Sequence, residues 1–489
     1  MMKPSIIILT FFFVFFACEE KENPETEIDN STIEIVNLEN NEVLEGSVLI
    51  ECQTNDNSSI EKVILWINGD STEIVDYNPP FILNWNTINH INGSYEIYVR
   101  SYLDTGEEFD SESIIVKINN FLTYHISFGS DDENEVGYSA QQNQDSSFVI
   151  LGGIGDDILL MKYDRYGVMK WETSFGGGQL DIATHIQKTS DGGYVISGTT
   201  ESYGQGYGDI WLIKTDNSGL IEWNTYLGSE FHDSAGQVLE TEDGGFILVG
   251  SRGVANDGNS DLWLIRTNSQ GDSLWTKSFG GNEPDFGSDI LIDENGGFII
   301  LGSTASQGSG GLDIWLIKTD KDGNEEWNKY YGEGSDDMGQ SILGTYDNGY
   351  MIQYLVDSYG EGGSSVGLLR LGMSGEEIWT KTIGGSDGIS GRSLQKVSQD
   401  EYIMACSLFD YGENGYDAYL IKLNDSGDII WDSIFGEQEN DKGFSVTTTL
   451  DGGFLLIGSS NNFGNGNKNF SDLLMIKTDS YGNSNINDN

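Results

Sequence analysis

Histidine, cysteine and basic residues are all scarce in this chain, and each shortage closes off a class of chemistry. Only four histidines and three cysteines occur in 489 residues. His90, His125, His185 and His232 lie in separate segments, and no two share a metal-ligand spacing. A histidine-based zinc centre or a Ser-His-Asp triad is therefore not expected. Cys18, Cys52 and Cys406 are too few and too dispersed for a disulfide framework, and the last two read as buried free thiols. Lys and Arg number 24 against 79 Asp and Glu, for a formal net charge of −55. Such a charge repels nucleic acid, so no nucleic-acid partner is expected. Sustained helical periodicity is also missing. That removes the strand–helix setting that a P-loop or a dinucleotide-binding G-x-G-x-x-G requires.

What the chain does have is a period. Trp171, Trp223, Trp275, Trp327, Trp379 and Trp431 are spaced at a constant 52 residues. A fixed period of this size marks a repeat architecture whose units bury their apolar faces only by stacking. From Trp171 the unit reads WETSFGG, ATHIQKT, SDGGYVISG and DIWLIKTDNSG. These are short apolar runs bounded by Gly, Asp, Asn and Ser, the pattern of antiparallel strands joined by tight turns. Four strands per unit predict a propeller blade. The glycine-aromatic landmark recurs at Phe148, Tyr194, Phe246, Phe298, Tyr350, Tyr402 and Phe454. The expectation is a seven-bladed β-propeller of four-stranded blades over residues 119–482, with 483–489 as a tail. The Trp strand has six full copies, and Tyr124 stands before Phe128 as Trp171 stands before Phe175. A strand at 121–128 is thus expected to complete the last blade, closing the ring and removing free sheet edges.

We name the strands a to d from the axis outward. The a–b turn is D-G-G and the c–d turn D-x-x-G, both on one face of the disc; the b–c and d–a loops lie on the other. Length variation concentrates in the b–c loops. The first, near Gly155, is shorter than its equivalents, and the last, near Phe463, is longer. Variable loops on one face of a repeat protein usually map the binding face. The expected ligand contacts there are Tyr203, Tyr207, Tyr359, Tyr411, Tyr416 and Phe463, set among Gly, Asn and Asp. Aromatic faces flanked by amides and carboxylates suit sugar stacking or protein contact. The bland alternative is packing of each loop on its neighbour. Blade 5 departs from the pattern, with Tyr354 in place of a glycine and Gly367 in place of the strand-c Trp.

Two charged series repeat with the blades. Asp181, Asp233, Asp285, Asp337 and Asp441 each enter a blade at the d–a loop, and Ile389 breaks the series. A ring of carboxylates could hold Ca²⁺ by oxygen ligation; the competing reading is that each orders its own loop. Lys162, Lys214, Arg266, Lys318, Arg370, Lys422 and Lys477 fill one position in every blade. Ion pairing with nearby carboxylates is the expected role.

The front of the chain differs. MMKPSIIILTFFFVFFAC is a basic start followed by an apolar run, shorter than the roughly 20 residues of a spanning helix. Residues 1–17 read as a signal peptide. The Phe-Phe-Ala-Cys ending resembles a bacterial lipoprotein box, which implies lipid attachment at Cys18 and membrane association through that anchor. Residues 18–30 are acidic and polar, a disordered tether, and resemble the surface-export signal of Bacteroidetes lipoproteins. Over 31–118, VLIECQT, KVILWING, FILNWNT, SYEIYVRSY and ESIIVKI are strands at sandwich spacing. This stretch resembles bacterial Ig-like domains, with Trp66 and Trp85 expected in its core.

The fold class expected is all-β: an N-terminal Ig-like β-sandwich followed by the propeller. The D-G-G turns resemble the Asp-box hairpins of sialidase-type propellers, but six arginines, two of them in the repeated basic position, do not supply a sialidase arginine cluster. The repeats W…F-G-G…D-G-G-Y…D-x-W-L-I-K-T-D resemble those of propeller lipoproteins of Bacteroidetes. That resemblance implies an outer-membrane, surface-exposed location in the cell envelope. The leading functional expectation is a non-enzymatic protein that binds a glycan or protein ligand on the b–c loop face. The alternatives are a glycan hydrolase or lyase that uses propeller carboxylates, and a structural envelope protein.

Overall fold

The computed structural model describes residues 32–484, apart from 45, 56–58, 88–89, 91, 119–121, 131, 255–258, 357–364, 385–387, 411–414, 437–439 and 462–469. The signal peptide, Cys18 and the tether lie outside the described residues. The chain forms two compact units, Met1–Asn119 and Asn120–Asn489.

The first unit is a sandwich. One sheet holds Ile33–Ile35, Ser47–Thr54 and Ile82–Asn86; the other is built around the long strand Gly93–Leu103, paired with Ile60–Ile67 and Ile114–Ile118. Alternation fills the core: Val63, Leu65 and Ile67 turn inward from one strand, Ile97 and Val99 from another, against the fully buried Trp85. The same alternation corrects the expectation for Trp66. It lies between Leu65 and Ile67 and so points away from the core, stacked on Tyr98 at 5.7 Å and capped by the Arg100 guanidinium at 4.4 Å. Cys52 and Cys406 are free thiols.

Among the described residues, the second unit contains seven four-stranded antiparallel sheets. Six are consecutive: blade 1 at 135–175, blade 2 at 181–227, blade 3 at 234–279, blade 4 at 285–331, blade 5 at 337–383 and blade 6 at 389–435. Blade 7 takes Asp441–Thr448, Phe454–Ser460 and Asp472–Thr478 from the C-terminal end, and its fourth strand is Tyr124–Phe128. Inner strands of neighbouring blades lie against one another around the whole ring, and that of blade 7 meets that of blade 1.

Strand chemistry follows position in the blade. The c strand Asp209–Thr215, DIWLIKT, is buried on both faces because neighbouring blades cover both. The d strand Ile221–Leu227 alternates, as an outer edge should. The 52-residue Trp has an inter-blade job. A Cβ on the c–d turn glycine of the following blade would sit 2.7 Å from Trp171 at Gly219 and 2.5 Å from Trp223 at Gly271. Each indole thus covers the next blade's turn, whose glycine has positive φ (+81° at Gly219). Trp223 also meets Phe246 of the next blade, with ring centroids 5.6 Å apart. The seam repeats where blade 7 meets blade 1: Tyr124 and Ile126 cover Gly167. At the axis, polar side chains of the inner strands staple neighbours. Gln141 Nε2 donates to Ile186 O at 3.1 Å, Ile290 N donates to Gln237 Oε1 at 3.0 Å, and Thr447 Oγ1 donates to Ala140 O at 2.9 Å.

Candidate functional site

The repeated cations are anchors for the a–b turn. Lys214 Nζ sits 2.9 Å from Asp191 and 2.9 Å from Glu222, and donates to Thr215 O at 3.0 Å. Arg266 pairs with Asp243 at 2.5 Å, Arg370 with Asp347 at 2.7 Å and Lys477 with Asp451 at 3.0 Å. Asp191 and Asp347 are held down at about 2; the Thr189 hydroxyl and the Lys214 ammonium do this for the first, the Thr345 hydroxyl and the Arg370 guanidinium for the second. The cation also explains the second turn glycine, where a Cβ at Gly193 would lie 2.6 Å from Lys214 Nζ and 2.1 Å from Thr215 O. Blade 6 has Gln399 in place of the turn Asp, and Glu401, at the glycine position, supplies the partner of Lys422 at 3.0 Å.

The carboxylates at the blade entrances are buried. Asp181, Asp233, Asp285, Asp337 and Asp441 are at most 2% exposed. Four of them accept the backbone N–H of the residue four positions earlier: Gly177 to Asp181 at 2.9 Å, Ser229 to Asp233 at 2.5 Å, Gly281 to Asp285 at 2.8 Å and Glu333 to Asp337 at 3.0 Å. The geometry gives these four a loop-ordering role. Among the described residues, no three His, Cys, Asp or Glu side chains converge as metal ligands.

Three of the entrance carboxylates, Asp233, Asp285 and Asp337, have a partner across the loop glycine that the sequence reading missed. Asp209 opens strand c of blade 2, and a Cβ on Gly228 would meet Asp209 Oδ1 at 1.7 Å and Asp233 Oδ2 at 2.9 Å. Asp261 with Asp285 and Asp313 with Asp337 straddle Gly280 and Gly332 in the same way. Where Ile389 breaks the series, the strand-c partner is lost too, being Ser365. The two carboxylates therefore come and go as a unit.

Of the six aromatic residues expected at the ligand face, Tyr359, Tyr411 and Phe463 lie outside the described residues. The other three are not gathered together. Tyr203 belongs to blade 2, stacked on Tyr226 at 5.3 Å and tilted against Trp211 at 5.5 Å, with its hydroxyl donating to Gly176 O at 2.8 Å. Tyr207, in the same loop, is 72% exposed. Tyr416 is in blade 6, edge-on to Phe409 at 4.9 Å, with Lys442 Nζ 4.6 Å from its ring. The blade 5 exceptions are a size exchange. Gly198 faces Trp211 across strands b and c, whereas in blade 5 Tyr354 faces Gly367, and the phenol ring occupies the space where a Cβ on Gly367 would be. Cys406 facing Tyr419 in blade 6 is intermediate.

A cavity of about 620 Å³ runs along the axis, lined by the inner strands of all seven blades. Every inner strand carries a register shift at the same place. Bulges re-aim a side chain out of the ladder. The bulged residues are, in blade order, Tyr138, Thr184, Gly236, Ser288, Gln340, Arg392 and Phe444, and all seven line the cavity. Positions on either side repeat: Gly or Ala precedes the bulge, and a buried aliphatic residue follows two places later. The bulge alone holds seven different residue types. Comparing the seven ATHIQKT-like strands residue by residue would have found it; the Trp and glycine landmarks do not point there. Blades 6, 7 and 1 bring the largest of them together. Arg392 Cζ lies 5.3 Å from the Phe444 ring, and the Tyr138 and Phe444 centroids are 6.5 Å apart. His185 also lines the cavity; burial lowers it to about 4, so it is neutral at physiological pH. Asp289 is turned into the blade 4–5 seam, accepting Ile290 N and Ile342 N at 2.8 Å each; burial raises it to about 6.

Comparison with known proteins gives one family match and distant likenesses. Residues 32–99 match the bacterial Ig domain. The regulatory protein FlaEY of Caulobacter vibrioides is 25% identical over 200 residues, which are 34% of this chain and 21% of that protein. The chain thus spans about a fifth of the length of that curated relative. Among solved structures, virginiamycin B lyase from Staphylococcus aureus covers 73% of this chain and 99% of its own at 13% identity, with a TM-score of 0.42. The β-propeller domain of the Trilobed protease from Pyrococcus furiosus covers 75% of this chain and 97% of its own at 12% identity, also with a TM-score of 0.42. Likenesses this remote carry nothing about activity. The chain combines a bacterial Ig-like domain with a seven-bladed β-propeller.

Proposed function

We propose that this is a non-enzymatic binding protein of the bacterial cell envelope, anchored by lipid at Cys18, that receives its ligand in the propeller channel. An Ig-like domain beside a propeller suits a binding or interaction role. One observation carries the choice of site: the inner-strand bulge is the channel position at which all seven blades differ. A position kept for structure repeats with the fold, whereas one ligand needs one asymmetric surface. The exposed Tyr207 on the b–c face would be a peripheral contact. Anchoring rests on the Phe-Phe-Ala-Cys box, and Cys18→Ser should abolish incorporation of labelled fatty acid.

The binding test uses the purified full-length protein on glycan and protein arrays, beside a Ser288→Trp variant that fills the channel. Ligands retained by the wild type and lost by the variant support the channel. Undiminished binding by the variant would move the site elsewhere, with Tyr203→Ala and Tyr207→Ala as the next variants. Turnover of a retained ligand would overturn the non-enzymatic reading.

A further inference from the structure

Arg392 stands exposed in the channel wall of a chain that carries 79 acidic residues. Among the described residues, Arg100, Arg266 and Arg370 are paired with carboxylates. No described carboxylate lies within ion-pair distance of Arg165, Arg252 or Arg392, and of these three Arg392 is the one that lines the axial cavity. Its guanidinium is held beside the Phe444 ring at 5.3 Å, and Tyr138 continues the aromatic wall. A contact of this kind orients a guanidinium while leaving its N–H fork open to an acceptor. The long-range field of the protein works against any anion entering, so a fork placed here makes sense only for a short-range, directional contact. A planar carboxylate meets it with two parallel hydrogen bonds. A multiply charged phosphate or sulfate polymer would meet the greater repulsion.

The remaining bulges define what surrounds that carboxylate. Ser288 and Gln340 present hydroxyl and amide groups, Thr184 donates its hydroxyl proton to Ser197 O at 3.0 Å and keeps the oxygen as an acceptor, and Gly236 presents no side chain, so blades 2 to 5 leave room and hydrogen-bonding partners. A volume of about 620 Å³ lies within the small-molecule range of roughly 300–1,000 Å³. Aromatic faces on one wall and hydroxyl and amide groups on the other suit a sugar ring, which has apolar C–H faces and a polar rim.

Resting on the channel reading above, we propose that the channel binds an acidic sugar of the uronic-acid type, its carboxylate on Arg392, a ring face against Phe444 or Tyr138, and its hydroxyls on Thr184, Ser288 and Gln340.

The test is titration calorimetry of the full-length protein with galacturonate and with galactose, its uncharged counterpart, at physiological salt. The wild type should bind the acidic sugar at least about tenfold more tightly. Arg392→Gln should remove that preference, Arg392→Lys should recover part of it, and Phe444→Ala should weaken both sugars. Melting temperatures within a few degrees of wild type establish that the variants are folded. Equal affinity for the two sugars, no binding of the acidic one, or an Arg392→Gln variant that keeps the preference would each overturn the acidic-sugar assignment. None of these touches the channel reading, which stands or falls on whether Ser288→Trp removes the ligands found on the arrays.

Discussion

Replacing Asp209 by Asn should stabilise the protein at neutral pH, although the carboxylate it removes is buried and hydrogen-bonded. Asp209 is 2% exposed, accepts Gln205 N at 2.6 Å, and meets Asp233 over Gly228. Burial, and then the charge on Asp233, raise it from 3.8 to about 6, although the Gln205 N–H opposes the shift. A group whose folded pKa lies above its unfolded value contributes stability below the unfolded value and loses it as pH rises through the folded one. Asp209 thus supports the fold at pH 4 and opposes it at pH 8. A shift of about two units corresponds to ~3 kcal/mol, an upper figure because the neighbours can relax. Asn keeps an oxygen for the Gln205 N–H, and its amide N–H can donate to Asp233.

Asp209→Asn should therefore gain about 1–3 kcal/mol over wild type at pH 8 and almost nothing at pH 4. Guanidinium unfolding at pH 8, 6 and 4 measures this directly, with unchanged m-values showing that the same surface is exposed. A variant no more stable at pH 8, or one equally stabilised at pH 4, would refute the coupled-pair account. The blade 5–6 junction is an internal precedent, since it carries Ser365 and Ile389 in place of both carboxylates and still forms its sheets.

Wild-type stability should pass through a broad maximum near pH 6, because Asp209 and Asp289, raised by burial to about 6, favour the fold as pH falls through that value, whereas the buried His125 and His185, lowered to about 4, oppose it as pH falls below their ordinary value of 6.5. It should fall again as pH drops below about 4 towards 2, where the turn carboxylates Asp191 and Asp347 lose their cation pairing; melting temperature against pH would show the maximum. Gly193→Ala should cost about 1–3 kcal/mol by driving a methyl into Thr215 O and Lys214 Nζ. Gly178→Ala, with nothing within 4 Å, should stay within about 0.5 kcal/mol in the same denaturation assay. Deleting residues 119–130 removes the strand paired with Asp472–Thr478, so the product should aggregate or lose cooperative unfolding; a truncated protein melting at the wild-type temperature would contradict ring closure.

The period was legible because it reports contacts that every seam must make. Trp171 and its equivalents recur at 52 residues since each covers the glycine of the next blade's turn. Strand c reads as a continuous apolar run since both its faces are covered. Alternation was read less well at Trp66, where a large aromatic residue suggested burial but its place between two inward residues decided otherwise. One loop tyrosine departs from the repeat for a packing reason. Tyr203 departs from the repeat in sequence, yet it packs against Trp211 and Tyr226, a local solution to covering an indole. Tyr354 departs too, and it fills the volume vacated at Gly367. Departures that come in compensating pairs therefore preserve the fold, by volume at Tyr354 with Gly367 and by charge at Ser365 with Ile389 and Gln399 with Glu401. The bulge residues behave differently. Among the described residues Arg392 brings no acid with it, and the Gly, Ser and Thr of the facing blades do not fill the space beside Phe444 and Tyr138. Uncompensated asymmetry at a site the fold otherwise repeats leaves volume and one unmatched charge. These are the two properties a ligand can complete.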